Sequence, residues 1–532
     1  LNLTEQGIVA LHQPHHADFG FDKRLGVSIS DVIMALEQLP TELLELIIPL
    51  TLPEGFESLA LTCKFLYSLC TPFLEHYNNL RWHFRDFRFV KTNKDFQHNR
   101  QLLKFPDTVT SAFNLISRIA IEPAVGRYIL EADFAGDSRL YGRLSSTARE
   151  QTTYEDRDEA VRQVFADSSY LREAGLDWKE YYSAMMQDVS NCRYSEHASA
   201  FVLTLLPNLQ RLRPSCFCEP TPTSQKLINA IIQTARQNPH GTASLAQLTA
   251  FQETRGRYEL SWASSIIALP RMKNFQGSGC IGKADSDKRI ESRYLRADLN
   301  SKLEVAGFWD ASIDAMAIAD FLKHTPCLKS LTYWHSTKAK PGHREWDLCG
   351  FIAAVQREVG RHLEHLCAIT TELHCLISPG KPYLRGFQRL KSLELPLDIV
   401  LCGLKAADPA DHGSLNSKSL LGDIVPASVS VLSLFSPGKS PHEKALDLLF
   451  CDFATQKQLQ TPNLKDIFLT CPDDADDSYK AQCANLVEAT ERAGVSLVLT
   501  RNPTPISTVG IDEEQCFLFW DSPEESHKHR GE

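Results

Sequence analysis

Pro326-Cys327-Leu328-Lys329-Ser330-Leu331-Thr332-Tyr333 carries the pattern from which the fold is read: a proline, then an apolar residue followed three and five positions later by others. The phrase returns clearly at Pro207-Asn208-Leu209-Gln210-Arg211-Leu212, Leu390-Lys391-Ser392-Leu393-Glu394-Leu395 and Pro462-Asn463-Leu464-Lys465-Asp466-Ile467-Phe468-Leu469. Weaker copies start at Leu245, Met272, Leu363 and Val429, and degenerate ones at Arg127, Asn300 and Gly494. Helical periodicity fills the intervals over residues 224–236, 258–268, 312–324, 346–359, 442–453 and 478–493. In the 312–324 segment Ile313, Met316, Ala317, Phe321 and Leu322 fall largely on one face, with Ser312 placed to cap it. A short strand followed by a helix cannot bury its apolar side alone, so neighbours must stack. The chain is therefore expected to be α/β, a curved solenoid with a parallel sheet inside and helices outside.

The repeat length, about 30 residues and irregular, lies slightly beyond the ~20–29 of leucine-rich repeats. Over residues 127–500 the pattern resembles that class, without a regular Asn or Cys at its turn. The gap between Arg127 and Leu209 is too long for one repeat, which places a helical insertion near 140–195, with helices expected at 159–165 and 178–189. Residues 501–532 hold Pro503, Pro505 and the apolar run Cys516-Phe517-Leu518-Phe519-Trp520, expected to cap the last repeat, with a binding segment as the alternative.

Toward the N-terminus the period changes. Leu39-Pro40-Thr41-Glu42-Leu43-Leu44-Glu45-Leu46-Ile47-Ile48 reads as a helix with Pro40 at its first position, where the missing N–H costs nothing. Pro49 is expected to stop it, and Pro53 to open a second helix running to about Leu61. Thr62 is expected to cap a third bearing Phe65, Leu66 and Leu69, which Pro72 ends. The pair Leu39-Pro40, the run Glu42-Leu43-Leu44, the pair Ile47-Ile48 and the start Leu61-Thr62-Cys63-Lys64 together resemble an F-box, over residues 36–75. Departures from that pattern are Pro49, Gly55 inside the second helix, and Phe65 where many F-boxes carry Trp.

The resemblance implies a substrate-recognition subunit of a Skp–cullin–F-box ubiquitin ligase. Its F-box would dock the Skp adaptor, and through it cullin, while the repeats hold a protein target whose identity the sequence does not give. The residues implied for adaptor docking, or for the module's own small core, are Leu39, Pro40, Leu43, Leu44, Ile47, Ile48, Leu59, Leu61, Cys63, Lys64 and Leu66. Such a subunit works by proximity and needs no catalytic residue, so no enzyme activity and no cofactor are expected. Two other readings stand beside it: a leucine-rich scaffold that docks an adaptor without ubiquitin transfer, and an enzyme hidden in the 127–209 insertion or around Gly277.

Composition bounds these readings. Lys+Arg 56 against Asp+Glu 66 gives a net charge of -10, which argues against general binding to nucleic acid or anionic membranes. No uninterrupted apolar stretch is long enough to span a bilayer. Fifteen cysteines, an odd number scattered among leucine-rich stretches, suit free thiols in a reducing compartment, so a cytoplasmic or nuclear location is expected. Residues 1–35 lack a sustained period and a signal-type apolar core, and read as a flexible leader. The chain begins with Leu1, so its start is expected to be incomplete or processed. Residues 76–126 are expected to be a helical linker. Its start, 73–89, interleaves Tyr77, Trp82, Phe84, Phe87 and Phe89 with Arg81, Arg85 and Arg88. Packing against the next domain is expected there rather than stacking on single-stranded nucleic acid.

Three chemical motifs compete with their structural explanations. Gly277-Ser278-Gly279-Cys280-Ile281-Gly282-Lys283-Ala284 has P-loop spacing, but Ala284 stands where a magnesium-binding hydroxyl belongs and Asp285 and Asp287 follow. A flexible inter-repeat loop is expected instead. His362, His365, Cys367, His374 and Cys375 are zinc-ligand types, but strand alternation turns them apart, so no metal is expected. Cys216 and Cys218 read as loop thiols, and the acidic run Asp473-Asp474-Ala475-Asp476-Asp477 as the N-terminal entry of a helix.

Overall fold

The computed structural model describes residues 39–89, 111–135, 154–191, 194–215, 221–239, 241–252, 258–282, 301–336, 345–370, 376–406 and 420–501, with Val109 and Asp137. The expected leader, most of the 501–532 tail, Cys216, Cys218, Lys283, Ala284, His374 and Cys375 lie outside the described residues. The chain divides into two compact units, 1–80 and 81–532.

In the first unit helices occupy Thr41–Leu50 and Phe56–Ala60, and a third begins at Lys64 and runs to Phe84. Of two expected stops, one holds to within a residue and the other does not. Pro49 sits in the last turn of the first helix, where Thr51 donates its N–H and its hydroxyl to Ile48 O. Pro72 lies inside the third helix, which continues beyond it. Thr62 does not cap: its hydroxyl donates to Ser58 O, while Cys63 Sγ accepts from Leu66 N–H at 3.5 Å. Leu44, Ile48, Leu52, Phe56, Ala60, Leu66, Cys70, Tyr77 and Leu80 form the core, with the Phe56 and Tyr77 rings 4.6 Å apart.

The second unit is built on parallel strands. They are β1 (Asp86–Arg88), β2 (Glu131–Asp133), β3 (Arg211–Arg213), β4 (Ala250–Gln252), β5 (Tyr258–Glu259), β6 (Asn274–Ser278), β7 (Cys280–Gly282) and β8 (Val305–Ile313). There follow β9 (Ser330–His335), β10 (Glu345–Trp346), β11 (His365–Thr370), β12 (Leu376–Ile377), β13 (Ser392–Pro396), β14 (Val431–Phe435), β15 (Asp466–Thr470) and β16 (Ser496–Thr500). The main sheet runs β1-β2-β3-β4-β6-β8-β9-β11-β13-β14-β15-β16, always parallel and always in chain order. β5 and β7 pair beside β8, and β10 pairs β12 separately. The α/β class with a large parallel sheet is thus the observed architecture.

Register assigns the repeat phrase. Ala132, Leu212, Phe251, Phe275, Ala306, Leu331, Leu366, Leu393, Leu432 and Ile467 are successive partners across the sheet. Three residues before each stand Ile129, Leu209, Leu248, Met272, Leu303, Leu328, Leu363, Leu390, Val429 and Leu464, none more than 1% exposed. Three expected starts are therefore corrected: Leu248 replaces Leu245, Leu303 replaces Asn300, and Ile129 replaces Arg127. The sheet also begins earlier than expected, because β1 lies within the stretch read as a helical linker.

Between each buried start and its strand, as far as β14, one residue gives its carbonyl to two N–H groups at the beginning of the next strand. Lys391 O accepts from Ser430 N at 2.8 Å and Val431 N at 3.0 Å, and Glu364 O accepts from Lys391 N and Ser392 N. In the middle of the sheet this residue alternates in charge, as Lys273, Glu304, Lys329, Glu364 and Lys391. Lys329 Nζ lies 2.7 Å and Lys273 Nζ 3.9 Å from the Glu304 carboxylate, and Lys391 Nζ lies 2.5 Å from Glu364 Oε2. The hydrogen bonds from the lysines hold the Glu304 and Glu364 carboxyls below the ordinary range. These pairs are exposed and fix register more than they stabilise.

Helices of the second unit occupy, among others, Tyr154–Asp167, Trp178–Ser190, Pro222–Gln237, Leu260–Ile267, Ala315–Leu322, Leu348–Val359 and Asp477–Arg492. The segment expected from Ser312 starts at Ala315 instead, because Ser312 belongs to β8 and Asp314 Oδ1 caps by accepting from Ala317 N–H at 2.7 Å. The stretch 442–453 holds two helices, His442–Leu449 and the start of Phe453–Gln460. Strict inside/outside alternation is absent from β11, where Leu366, Cys367, Ala368 and Ile369 are all buried, as in parallel sheets covered on both faces.

Candidate partner-binding site

The first helix is apolar on two faces. Leu44 and Ile48 point into the core at 1% and 0% exposure, whereas Leu43, Leu46 and Leu50 are 47%, 67% and 76% exposed. Leu43, Leu46, Ile47 and Leu50 stand at i, i+3, i+4 and i+7, which gathers them on one stripe of the helix surface. Leu61, which ends the second helix, and Phe65, in the first turn of the third, are also exposed, at 71% and 43%. Glu42 and Glu45 take the remaining, polar face. Single exposed leucines are ordinary, but a four-residue stripe on a ten-residue helix is the mark of an interaction face.

The residues expected for adaptor docking therefore divide. Leu44, Ile48 and Leu66 are core residues, the second of the two roles expected for the set. Leu43, Leu61, Pro40 and Lys64 are exposed, and Leu39, Ile47, Leu59 and Cys63 are partly so. Leu46, Leu50 and Phe65 were not among the expected contacts. The spacing from Leu43 carried the signal for the first two.

Other candidate chemistry is dispersed. The glycine-rich P-loop match is not a loop: Gly277 lies in β6 and Gly282 in β7, and Gly279 N–H donates to Trp309 O at 2.7 Å. Those amides are turned into the sheet, not toward a phosphate. Among the described residues no three His, Cys, Asp or Glu side chains gather as a metal site. Burial lowers both His362 and His365, which favours their neutral forms. In the aromatic and basic stretch Tyr77, Phe84, Phe87 and Phe89 are buried, and Trp82 is 85% exposed. The acidic run binds a loop: Asp476 Oδ2 accepts from Ser440 N–H at 3.0 Å, and Lys439 Nζ lies 3.4 Å from Asp474 Oδ2. An apolar cavity of about 40 Å³ bounded by Phe134, Leu212, Phe251 and Trp262 has room for little beyond a water or two. Among the described residues no helix is long and apolar enough to cross a membrane.

No protein-family model matches this chain, and no curated protein does.

Proposed function

We propose that this chain is the substrate-recognition subunit of a Skp–cullin–F-box ubiquitin ligase. The 39–80 module would dock a Skp-type adaptor and the repeats of the second unit would hold a protein target. The observation that carries the reading is the outward stripe Leu43, Leu46, Ile47 and Leu50, accompanied by Leu61 and Phe65, on a module whose core is already filled by Leu44, Ile48 and Leu66. That division answers what a small adaptor-binding module must do: keep its own fold and still offer apolar area. At about 25 cal/mol per Å² of apolar surface removed from water, several fully covered leucines supply several kcal/mol before the entropic cost of association.

The second unit supports the other half. From β2 to β15 of the main sheet each strand is preceded by a buried start residue, and backbone carbonyl contacts link neighbouring starts, so a leucine-rich-repeat solenoid is the finer reading of this parallel sheet. Catalysis in this chain is not required by that role, because holding a target near a charged conjugating partner raises its effective concentration.

The test is co-purification of the full chain, and of a Leu43→Asp, Leu46→Asp variant, with adaptor and cullin from cells. The reading expects wild type to carry both and the variant neither, with the variant's circular dichroism unchanged. Adaptor without cullin would favour the scaffold reading. Neither protein with wild type would overturn both.

A further inference from the structure

Among the described residues two pairs of cysteines meet thiol to thiol. Cys349 is the second residue of the helix Leu348–Val359, and its thiol is hydrogen-bonded to that of Cys402 in the helix Asp398–Ala406, which packs beside it. Cys471, just after β15, makes the same kind of contact with Cys483 in the middle of the helix Asp477–Arg492.

Their surroundings differ. Cys349 lies in the first turn of a 12-residue helix, where unpaired N–H groups and the helix dipole favour a thiolate. It is partly exposed, while Cys402 is 1% exposed behind it. Gly380, in the segment after β12, lies close against Cys349: a Cβ there would come within 2.7 Å of Cys349 Cβ and 2.9 Å of its sulfur. The Gly380 N–H also donates to Cys402 O at 3.3 Å. The hydrogen bond from Cys402 lowers the Cys349 thiol below its ordinary value, against burial and the nearby Asp347 carboxylate. At the other pair, burial pushes the Cys483 thiol up to about 12, so it stays protonated. Both pairs set a half-exposed sulfur against a buried one, but only Cys349 also lies in the first turn of a helix, where a thiolate is favoured.

We propose that Cys349 and Cys402 form a reversible dithiol–disulfide site that reacts with low-molecular-weight disulfides of the glutathione type. The Cys349 thiolate attacks one sulfur of oxidised glutathione, forming a mixed disulfide and expelling one glutathione thiolate, which takes up a proton. Cys402 then loses its proton and attacks the Cys349 sulfur, closing the internal disulfide and expelling the second glutathione. Two protein thiols are oxidised and one glutathione disulfide is reduced to two thiols. The closed bond ties one helix of the second unit to the next. Excess reduced glutathione reverses it.

The test treats the full-length protein with oxidised glutathione, quenches with acid, blocks free thiols, and maps the cysteines by peptide mass spectrometry. The Cys349–Cys402 linkage is expected to form before any Cys471–Cys483 linkage. Cys402→Ser should trap glutathione on Cys349, and Cys349→Ser should leave Cys402 unmodified. Exposed Cys327 and Cys451 serve as internal references. The proposal is overturned if the wild-type chain links Cys471 to Cys483 first. It is equally overturned if no Cys349–Cys402 linkage appears while Cys327 and Cys451 are modified. Both of these outcomes are read on unmutated protein, so they do not depend on the variants folding.

Discussion

Replacing Tyr333 by Phe isolates one buried hydroxyl. Tyr333 is 0% exposed, and its oxygen accepts from Ile313 N–H at 3.0 Å while lying within 3.3 Å of Ala311 O and Ile313 O and 3.0 Å from His335 Nδ1. These contacts hold the end of β8, where the register with β9 slips between Phe308 and Ala311 and Asp310 adopts a positive φ of 47°. The ring packs on Phe351 at a centroid distance of 4.3 Å, so Tyr333→Phe keeps the packing and removes only the oxygen. A buried N–H left without its partner costs about 1–3 kcal/mol. Taking about 2 kcal/mol, with each ~1.4 kcal/mol a factor of ten, the Ile313 amide should exchange with deuterium roughly 30-fold faster through local opening. Hydrogen exchange followed by mass spectrometry reads this on a peptide covering residues 311–313, with β14 peptides as the reference. Less than about a twofold change at Ile313 would refute the assignment of the hydroxyl as the clasp of this strand end.

Three further outcomes follow from the same contacts. Leu393→Ala, at a fully buried position flanked in register by Leu366 and Leu432, should lower stability by about 2–5 kcal/mol, seen as a lower urea midpoint. Gly277→Ala should destabilise β6, since a Cβ would run into the Tyr258 hydroxyl and come within 3.2 Å of the Phe275 ring; an unchanged melting temperature would contradict that packing. His442 is opposed by burial, but Asp398 Oδ2, 3.2 Å from its Nε2, together with the Lys439 carbonyl and Glu443, raises its pKa. Its contribution is therefore complete below the unfolded value near 6.5 and lost as pH rises through the higher folded value. Asp398→Asn should flatten that part of the stability–pH curve.

How much was legible depended on how strongly each position was patterned. The phrases at Leu328, Leu390 and Leu464 were plain because a large apolar residue fills both the start and the strand centre three residues later. Leu303 escapes the pattern because the strand centre three residues after it is Ala306, too small to stand out. Leu245 and Leu248 are both buried and three apart, so the pattern alone fits either; only pairing of Phe251 with Leu212 and Phe275 decides. β1 was hidden in an aromatic and basic stretch because a three-residue strand shows a single inward side chain, Phe87. Pro72 is not a stop because packing of Leu66, Cys70 and Tyr77 holds its helix through a residue that propensity alone would make one. In the first helix apolar residues fill all but the Glu42 and Glu45 face, and the pattern alone does not say which of them point inward. The thiol pair left no trace in sequence, since Cys349 and Cys402 belong to different helices.

The most direct measurement is titration of purified Skp-type adaptor into the full-length chain by isothermal calorimetry, alongside Leu46→Asp, Leu50→Asp and a control change on a polar surface, Glu488→Gln. The account expects saturable binding by wild type and by the control, and at least a hundredfold loss in the double variant, about 2.7 kcal/mol. Undiminished binding by the double variant, or no binding by wild type, would contradict it.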